Sequence, residues 1–202
     1  MKQIIKIHSG KMEAVVASAV LIWGIATFIF GYNHTFDNSS SLIFGTCILS
    51  IQVTLILLYY LSKPVNRFFN GVNLSTIALL HSWRIFAGWI FISYADHLPI
   101  AFVNNAAYGD IIAGLLGISV FIFGRTKLAY YVFNVVGLFD FILAVGTGLI
   151  LSLTHTPGAQ LLTALPLIII PFFGVPISGL THIVSLTRLA KMKNVKLTER
   201  VD

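Results

Sequence analysis

Seven side chains that form strong hydrogen bonds or carry charge lie inside otherwise apolar stretches: Gln52, His81, Arg84, Asp110, Asn134, Asp140 and His182. An ionisable side chain at the centre of a lipid bilayer costs roughly 2.5–3.5 kcal/mol on insertion scales. Such side chains therefore face one another or a water-filled cavity, and they commonly mark a path for protons, ions or substrates. The residue types predict a polar site inside a membrane.

The depths of these residues predict a charged pair and a second polar layer. Arg84 and Asp140 lie ten and twelve residues from the inner ends of their apolar stretches, about 15 and 18 Å along a helix. We therefore expect Arg84 to pair with Asp140 near the membrane midplane. His81, Asn134 and His182 lie five to seven residues from the inner end, which predicts a layer nearer the cytoplasm.

Small residues share helix faces with these polar groups. Gly137 and Gly148 lie on the face of Asp140, and Gly114 lies on the face of Asp110. Small residues let membrane helices approach closely, so we expect the polar groups to face neighbouring helices. Arg84 and Asp140 then have three interpretations: a functional charge pair, a lock that only fixes which helices pack together, or two residues that make no contact.

The other polar residues also have structural interpretations. Asp110 follows Tyr108-Gly109, where it would cap the N-terminus of a helix by accepting backbone N–H bonds. Gln52 and Asn134 would join helices by hydrogen bonds. His81 and His182 would each be a hydrogen-bonded packing residue.

Two cofactor questions follow from the histidines and the cysteine. His81 and His182 have similar depths on different stretches, so a haem with two histidine ligands is an alternative. The one cysteine, Cys47, excludes an internal disulfide framework and a cysteine-based metal cluster. We expect no cofactor, with haem as the minority alternative.

The composition indicates what positions these residues. Hydrophobic residues make up 57% of the 202 residues and charged residues only 10%, against about 45–50% and about 25% in soluble domains. These values exclude a soluble globule and also a disordered chain, which needs low hydrophobicity. We predict an all-α integral membrane protein built as a bundle of transmembrane helices.

Six apolar runs are long enough to cross the hydrocarbon core, which takes about 20 residues. They cover residues 13–32, 41–62, 74–94, 108–124, 128–152 and 162–187. The sixth run contains Pro166, Pro171 and Pro176. Proline removes a backbone donor and clashes with the preceding turn, so we predict a kinked sixth helix.

The basic residues predict the topology. Twelve of the thirteen Lys and Arg residues fall on one side of the six runs, and the thirteenth, Arg84, lies within the third. Short loops rich in Lys and Arg stay in the cytoplasm, so both termini are expected there. Residues 1–187 would form one transmembrane domain, and residues 188–202 a basic tail against anionic lipid. The apolar outer loop 95–107 would lie at the interface or dip into the membrane.

The leading functional interpretation is a small-solute or proton-linked transporter, or a channel-like protein. Arg84 would bind a small polar or anionic solute through its planar fork. Asp140 would be its counter-ion, the histidines would change protonation state, and Asn134 and Asp110 would complete the site. The alternatives are a non-catalytic accessory or regulatory membrane protein and the haem redox protein.

An enzymatic role is less favoured because no nucleophile motif accompanies the polar residues. His81, Asp110 and Asp140 could still act as acid and base in a membrane-embedded hydrolase or transferase. The predicted location is a cell membrane, either a bacterial inner membrane or a plasma membrane. The predicted partners are the lipid bilayer, a small solute and a membrane protein or second copy. The net charge of +6 is explained by the inner loops and implies no nucleic acid.

Overall fold

The computed structural model describes the backbone of residues 2–37 and 41–192 and the side chains of residues 12–37 and 42–192. Among the described residues, helices account for 83% and no strand occurs. The helices are α1 (Lys2–Tyr32), α2 (Ser41–Leu61), α3 (Lys63–Gly71), α4 (Leu74–Leu80), α5 (Trp83–Ser93), α6 (Ile100–Phe102), α7 (Tyr108–Phe123), α8 (Lys127–Leu153) and α9 (Val175–Lys191).

Six helical segments are long and apolar enough to cross a membrane, which confirms the predicted number and the all-α class. They cover Met12–Tyr32, Leu42–Leu61, Leu74–Ser93, Ile100–Phe123, Lys127–Leu153 and Ile170–Lys191. The architecture is that of a multi-pass membrane protein. The orientation of the termini and the kink of the sixth helix stay predictions.

The third span is interrupted in its middle. Helix α4 ends at Leu80 and α5 begins at Trp83, with His81 and Ser82 in a turn between them. The backbone N–H groups of His81, Ser82 and Arg84 each bond the carbonyl three residues earlier, which tightens the helix as in a 3₁₀ turn. The hydropathy of this segment does not signal the interruption, which contains His81 and lies two residues before Arg84.

The fourth span begins eight residues earlier than predicted. Helix α6 and a π-helical turn, Val103–Ala107, precede α7 without a break. Phe102, Val103 and Ala106 are buried, so the apolar part of the predicted outer loop packs inside the protein.

The sixth span begins later than predicted and ends later. Residues 164–168 form a bend and turns after the 3₁₀ helix Ala159–Thr163, and a π-helical turn, Ile170–Gly174, stands near the start of the continuous helix. Pro166 and Pro171 lack the N–H groups that a regular helix would need there. At the other end α9 runs through Lys191, so residues 188–191 of the predicted tail belong to this helix. Residues 193–202 lie outside the described residues.

The sixth span is the central element. In its most apolar stretch 61% of the residues are buried, against 11% in the corresponding stretches of the first and fifth spans. Two apolar clusters pack around the bundle interior, one containing Ala78 and Phe133 and the other containing Ala87 and Phe102. His81 and Arg84 lie between Ala78 and Ala87 in the chain, and both side chains are buried.

Candidate functional site

Arg84 is the centre of the buried polar site. It lies in the first turn of α5, only 3% exposed. Its Nε donates to Asp110 Oδ1 at 2.7 Å, and its Nη2 donates to Asp140 Oδ2. Its Nη1 donates to the carbonyl of Gly137 at 3.4 Å. The predicted contact between Arg84 and Asp140 is therefore present, and Asp110 is a second partner that the depth argument did not assign to Arg84.

The charges of this cluster do not balance. One guanidinium, which is always protonated in proteins, bonds two carboxylates that are 6% and 7% exposed. With both carboxylates ionised, one negative charge is in excess inside an apolar bundle. An uncompensated buried charge is strongly unfavourable, so the cluster favours a proton or a cation that removes the excess.

Asp110 is not an N-cap, which corrects the structural interpretation of that residue. Helix α7 begins at Tyr108 and follows the π-helical turn directly, so its cap position is Ala107. Asp110 lies in the first turn with its side chain on Arg84. The Tyr108-Gly109 pair suggested a helix start, but the backbone is already helical there.

Asp140 reaches Arg84 because α7 approaches α8 closely. A Cβ built on Gly109 would overlap Asp140 Oδ1, so the carboxylate occupies the space that glycine leaves. The same principle places His182: a Cβ on Gly137 would overlap the His182 ring. Small residues thus bring helices together, as membrane helices commonly do, and here they also make room for polar side chains.

His182 connects Arg84 to Asn134. Its Nδ1 lies 2.9 Å from Asn134 Oδ1 and its Nε2 lies 3.4 Å from Arg84 Nη1. The Asn134 amide nitrogen donates to the Tyr130 carbonyl at 2.7 Å, so Asn134 Oδ1 is the acceptor. His182 then donates through Nδ1 and presents an unprotonated Nε2 to Arg84. This assignment of the ring proton follows from the partners.

His81 stacks on His182 and bonds Thr181. The two imidazole rings have centroids 4.0 Å apart and planes at 31°. His81 Nε2 lies 3.0 Å from Thr181 Oγ1, and Thr181 donates to backbone carbonyls of its own helix. His81 therefore donates through Nε2, and its buried Nδ1 has no partner among the described residues. The two predicted layers are one continuous network.

The histidine geometry does not fit a haem. Two axial ligands must place a nitrogen on each side of the iron, with the porphyrin between the rings. Here the rings lie directly on each other, and their nitrogens bond Thr181, Asn134 and Arg84. Within the described residues there is also no group of three or more His, Cys, Asp or Glu residues that could hold a metal ion.

Gln52 does not join helices by a hydrogen bond, which corrects its structural interpretation. Its side chain is buried at 8% exposure, and neither Nε2 nor Oε1 has a partner among the described residues. The carboxamide packs against Gly179 of α9, next to the ring of Phe141. A buried amide without hydrogen bonds costs roughly 1–3 kcal/mol, so this position is destabilising unless a small polar molecule binds there.

A cavity of about 80 Å³ adjoins the charged cluster. Arg84, Asp110, Ser152 and Ser178 are its polar residues, and the rest of the wall is apolar. The wall is built by α2, α5, α7, α8, the segment around Phe102, the 3₁₀ helix Ala159–Thr163 and the sixth span. Leu49 of α2 lines the cavity and is 47% exposed, so α2 separates part of the cavity from the outer surface by a single side-chain layer.

The structure brings six predicted site residues into one network: His81, Arg84, Asp110, Asn134, Asp140 and His182. Sequence reasoning missed Thr181 and Ser178, because single hydroxyl side chains in an apolar stretch carry no signal of function. It also missed the roles of Gly109 and Gly137 in placing Asp140 and His182. A close approach of two helices at one glycine is not visible before the helix packing is known.

The chain belongs to a family of unknown function. Residues 41–190 match the family described as "Domain of unknown function (DUF8737)". This match covers α2 to α9 and therefore the whole polar network. Searches of curated proteins and of solved structures gave no match.

Proposed function

We propose that this member of the DUF8737 family is a proton-linked transporter of a small polar solute, and that Asp110 and Asp140 hold the proton. One observation carries this proposal: a single buried guanidinium serves two buried carboxylates. An ion pair that only locked helices together would need one carboxylate. The second one creates a site whose charge is balanced only when it holds a proton or a cation.

The charge of the cluster also favours one class of solute. Arg84 donates from Nε to Asp110 and from Nη2 to Asp140. Its remaining nitrogen, Nη1, lies near the Gly137 carbonyl and His182 Nε2. The guanidinium is thus occupied by the protein's own acceptors. An anionic solute would add to the excess negative charge, so a neutral or cationic solute fits better than the anion considered from the sequence.

His182 and His81 extend the path of the proton beyond the carboxylates. An imidazole can accept a proton on one nitrogen and release one from the other. Arg84 of α5 is the charged group that bonds both aspartates, and on its other side it faces His182 of α9, which stacks on His81. In this proposal the next proton acceptor beyond the carboxylates is His182 Nε2, which lies 3.4 Å from Nη1 of the same guanidinium.

The proposed setting is a cell membrane with both termini in the cytoplasm. The absence of Lys and Arg from the three outer loops supports this orientation. The cavity, which adjoins Ser152 and Leu162, would then open towards the outer half of the membrane. The stacked histidines lie on the cytoplasmic side of Arg84 in this orientation.

The test is a pH jump on the purified protein in vesicles adsorbed to a solid-supported membrane. Proton binding then displaces charge even without a solute, and the electrode records that displacement. We expect a displacement in the unchanged protein and its loss in Asp110→Asn and in Asp140→Asn. Asp96→Asn, which changes an exposed acid in an outer loop, is the matched control and should keep it.

Two results would overturn the proposal. Equal displacement in all four proteins would mean that the aspartates bind no proton in this pH range. No displacement in the folded, unchanged protein would mean the same. In either case the cluster is structural, and the accessory membrane protein becomes the better interpretation.

A further inference from the structure

The cavity beside the charged cluster has a wall rich in aromatic rings. Five rings line it: Phe44, Trp83, Phe91, Phe102 and Phe141. The electron-rich face of an aromatic ring attracts a cation, and cages of such rings recognise organic ammonium groups. The other wall residues are mostly aliphatic, so the cavity suits a ligand with an apolar body.

The polar end of the cavity suits a cationic head. Asp110 bonds Arg84 through Oδ1, while Oδ2 bonds no described residue. Ser178 Oγ accepts a hydrogen bond from Trp83 Nε1 at 3.2 Å and retains further acceptor capacity. An ammonium group has three N–H donors and no acceptor. Carboxylate and hydroxyl oxygens at the cavity end, beside an excess negative charge, complement that group.

The size of the cavity limits the ligand. A buried water needs roughly 10–15 Å³ of such volume, so about 80 Å³ holds about five to eight water-sized groups. A cavity of roughly 150 Å³ takes a benzene molecule. The site therefore fits a short unbranched amine better than an aromatic one.

From these observations we infer that the cavity binds a small alkylammonium ion, with its nitrogen at Asp110 and Ser178 and its chain among the five rings. This inference rests on the proposed function and names its solute class. One excess negative charge is balanced by either the proton or the alkylammonium ion. The two ions therefore exchange, and each would leave as the other binds.

The experiment is calorimetric titration of the detergent-solubilised protein with n-butylammonium, 1-butanol and butyrate. These probes have similar size and differ in the charge of the head group. We expect n-butylammonium to bind at least about tenfold more tightly than 1-butanol, and butyrate not to bind. Titration in buffers with different ionisation enthalpies counts released protons, and we expect about one proton per ion bound at low pH.

A pair of glycines provides the matched variants. Gly148 lines the cavity and its Cβ would point at Phe102, whereas a Cβ on Gly146 meets nothing within 4 Å. Gly148→Leu fills the cavity and should weaken n-butylammonium binding at least about tenfold. Gly146→Leu, which adds the same side chain to the same helix, should bind as the unchanged protein does.

If Gly148→Leu does not fold, Phe141→Leu replaces it. That variant removes one ring and keeps an apolar wall, so it should weaken the binding of n-butylammonium and leave the binding of 1-butanol unchanged. Equal binding of the alcohol and the amine, binding without proton release, or equal binding to both leucine variants of the glycines would overturn the inference. If n-butylammonium does not bind but a pH jump still displaces charge, the inference is wrong and the proposed function stands.

Discussion

Arg84 can be buried because its donors face acceptors on three other helices, α7, α8 and α9. Nε and Nη2 bond carboxylates of α7 and α8, and Nη1 lies near a backbone carbonyl of α8. A lysine would present a point charge that cannot span two carboxylates in this geometry. The guanidinium therefore holds both carboxylates in position and does not only balance their charge.

Removing Arg84 should be costly, and removing the carboxylates should restore stability. We expect Arg84→Gln to lower the free energy of unfolding by about 3–5 kcal/mol, because two buried carboxylates lose their partner. Arg84→Gln combined with Asp110→Asn and Asp140→Asn should recover most of that loss. Thermal unfolding in detergent measures both, with the exposed Arg67→Gln as control. A triple variant less stable than Arg84→Gln would contradict the charge argument.

At Gln52 we expect a substitution to raise the free energy of unfolding. Its carboxamide is buried without a partner among the described residues, so Gln52→Met should raise the free energy of unfolding by about 1–3 kcal/mol. Gln160→Met, at an exposed position, should change it by less than ~0.5 kcal/mol. A loss of stability in Gln52→Met would show that a bound water or solute satisfies the amide.

At the scale of elements, glycines decide which side chains meet. Gly109 leaves the space in which the Asp140 carboxylate lies, and Gly88, Gly114 and Gly117 bring α4 and α5 against α7. The interruption at His81 and Ser82 sets where α5 begins and therefore where Arg84 points. The glycines therefore act through the contacts between helices.

A single methyl group added at Gly109 should therefore break the contact between Asp140 and Arg84. Gly109→Ala places a Cβ on Asp140 Oδ1, so the carboxylate must move away from Arg84. We expect the charge displaced by a pH jump to fall to the level of Asp140→Asn. Gly146→Ala should leave it unchanged, since a Cβ there meets nothing within 4 Å. Unchanged displacement in Gly109→Ala would mean that Asp140 can move without effect on the proton.

The sequence predicted helix number and class because hydropathy over about 20 residues is a strong and local signal. It predicted the Arg84–Asp140 contact because depth along a helix follows from residue counting. It did not predict that Asp110 shares Arg84, since a residue in the first turn of a helix has an equally good local role as a cap. The late start of the sixth span depends on turns before Ile170 that composition does not distinguish from an apolar helix.

At the scale of the whole molecule, the polar network lies where the most buried span meets α5, α7 and α8. The first span contributes no residue to the network, and most of its large apolar side chains are exposed. In a bilayer these side chains would face lipid. The molecule thus has an apolar exterior around a small charged interior.

The predicted orientation can be tested with single cysteines. In a Cys47→Ser background, His97→Cys lies in a predicted outer loop and Arg125→Cys in a predicted inner loop. A membrane-impermeant maleimide added to intact cells should label His97→Cys at once and Arg125→Cys only after permeabilisation, because basic loops stay inside. The reverse order of labelling would contradict the orientation.

The central claim is that Asp110 and Asp140 bind and release a proton beside Arg84. Infrared difference spectroscopy between low and high pH measures this directly through the C=O stretch of a protonated carboxyl group. We predict a band at low pH that disappears at high pH, is altered or absent in Asp110→Asn and Asp140→Asn, and is kept in Asp96→Asn. A spectrum in which neither buried-aspartate variant changes the carboxyl bands would contradict the claim.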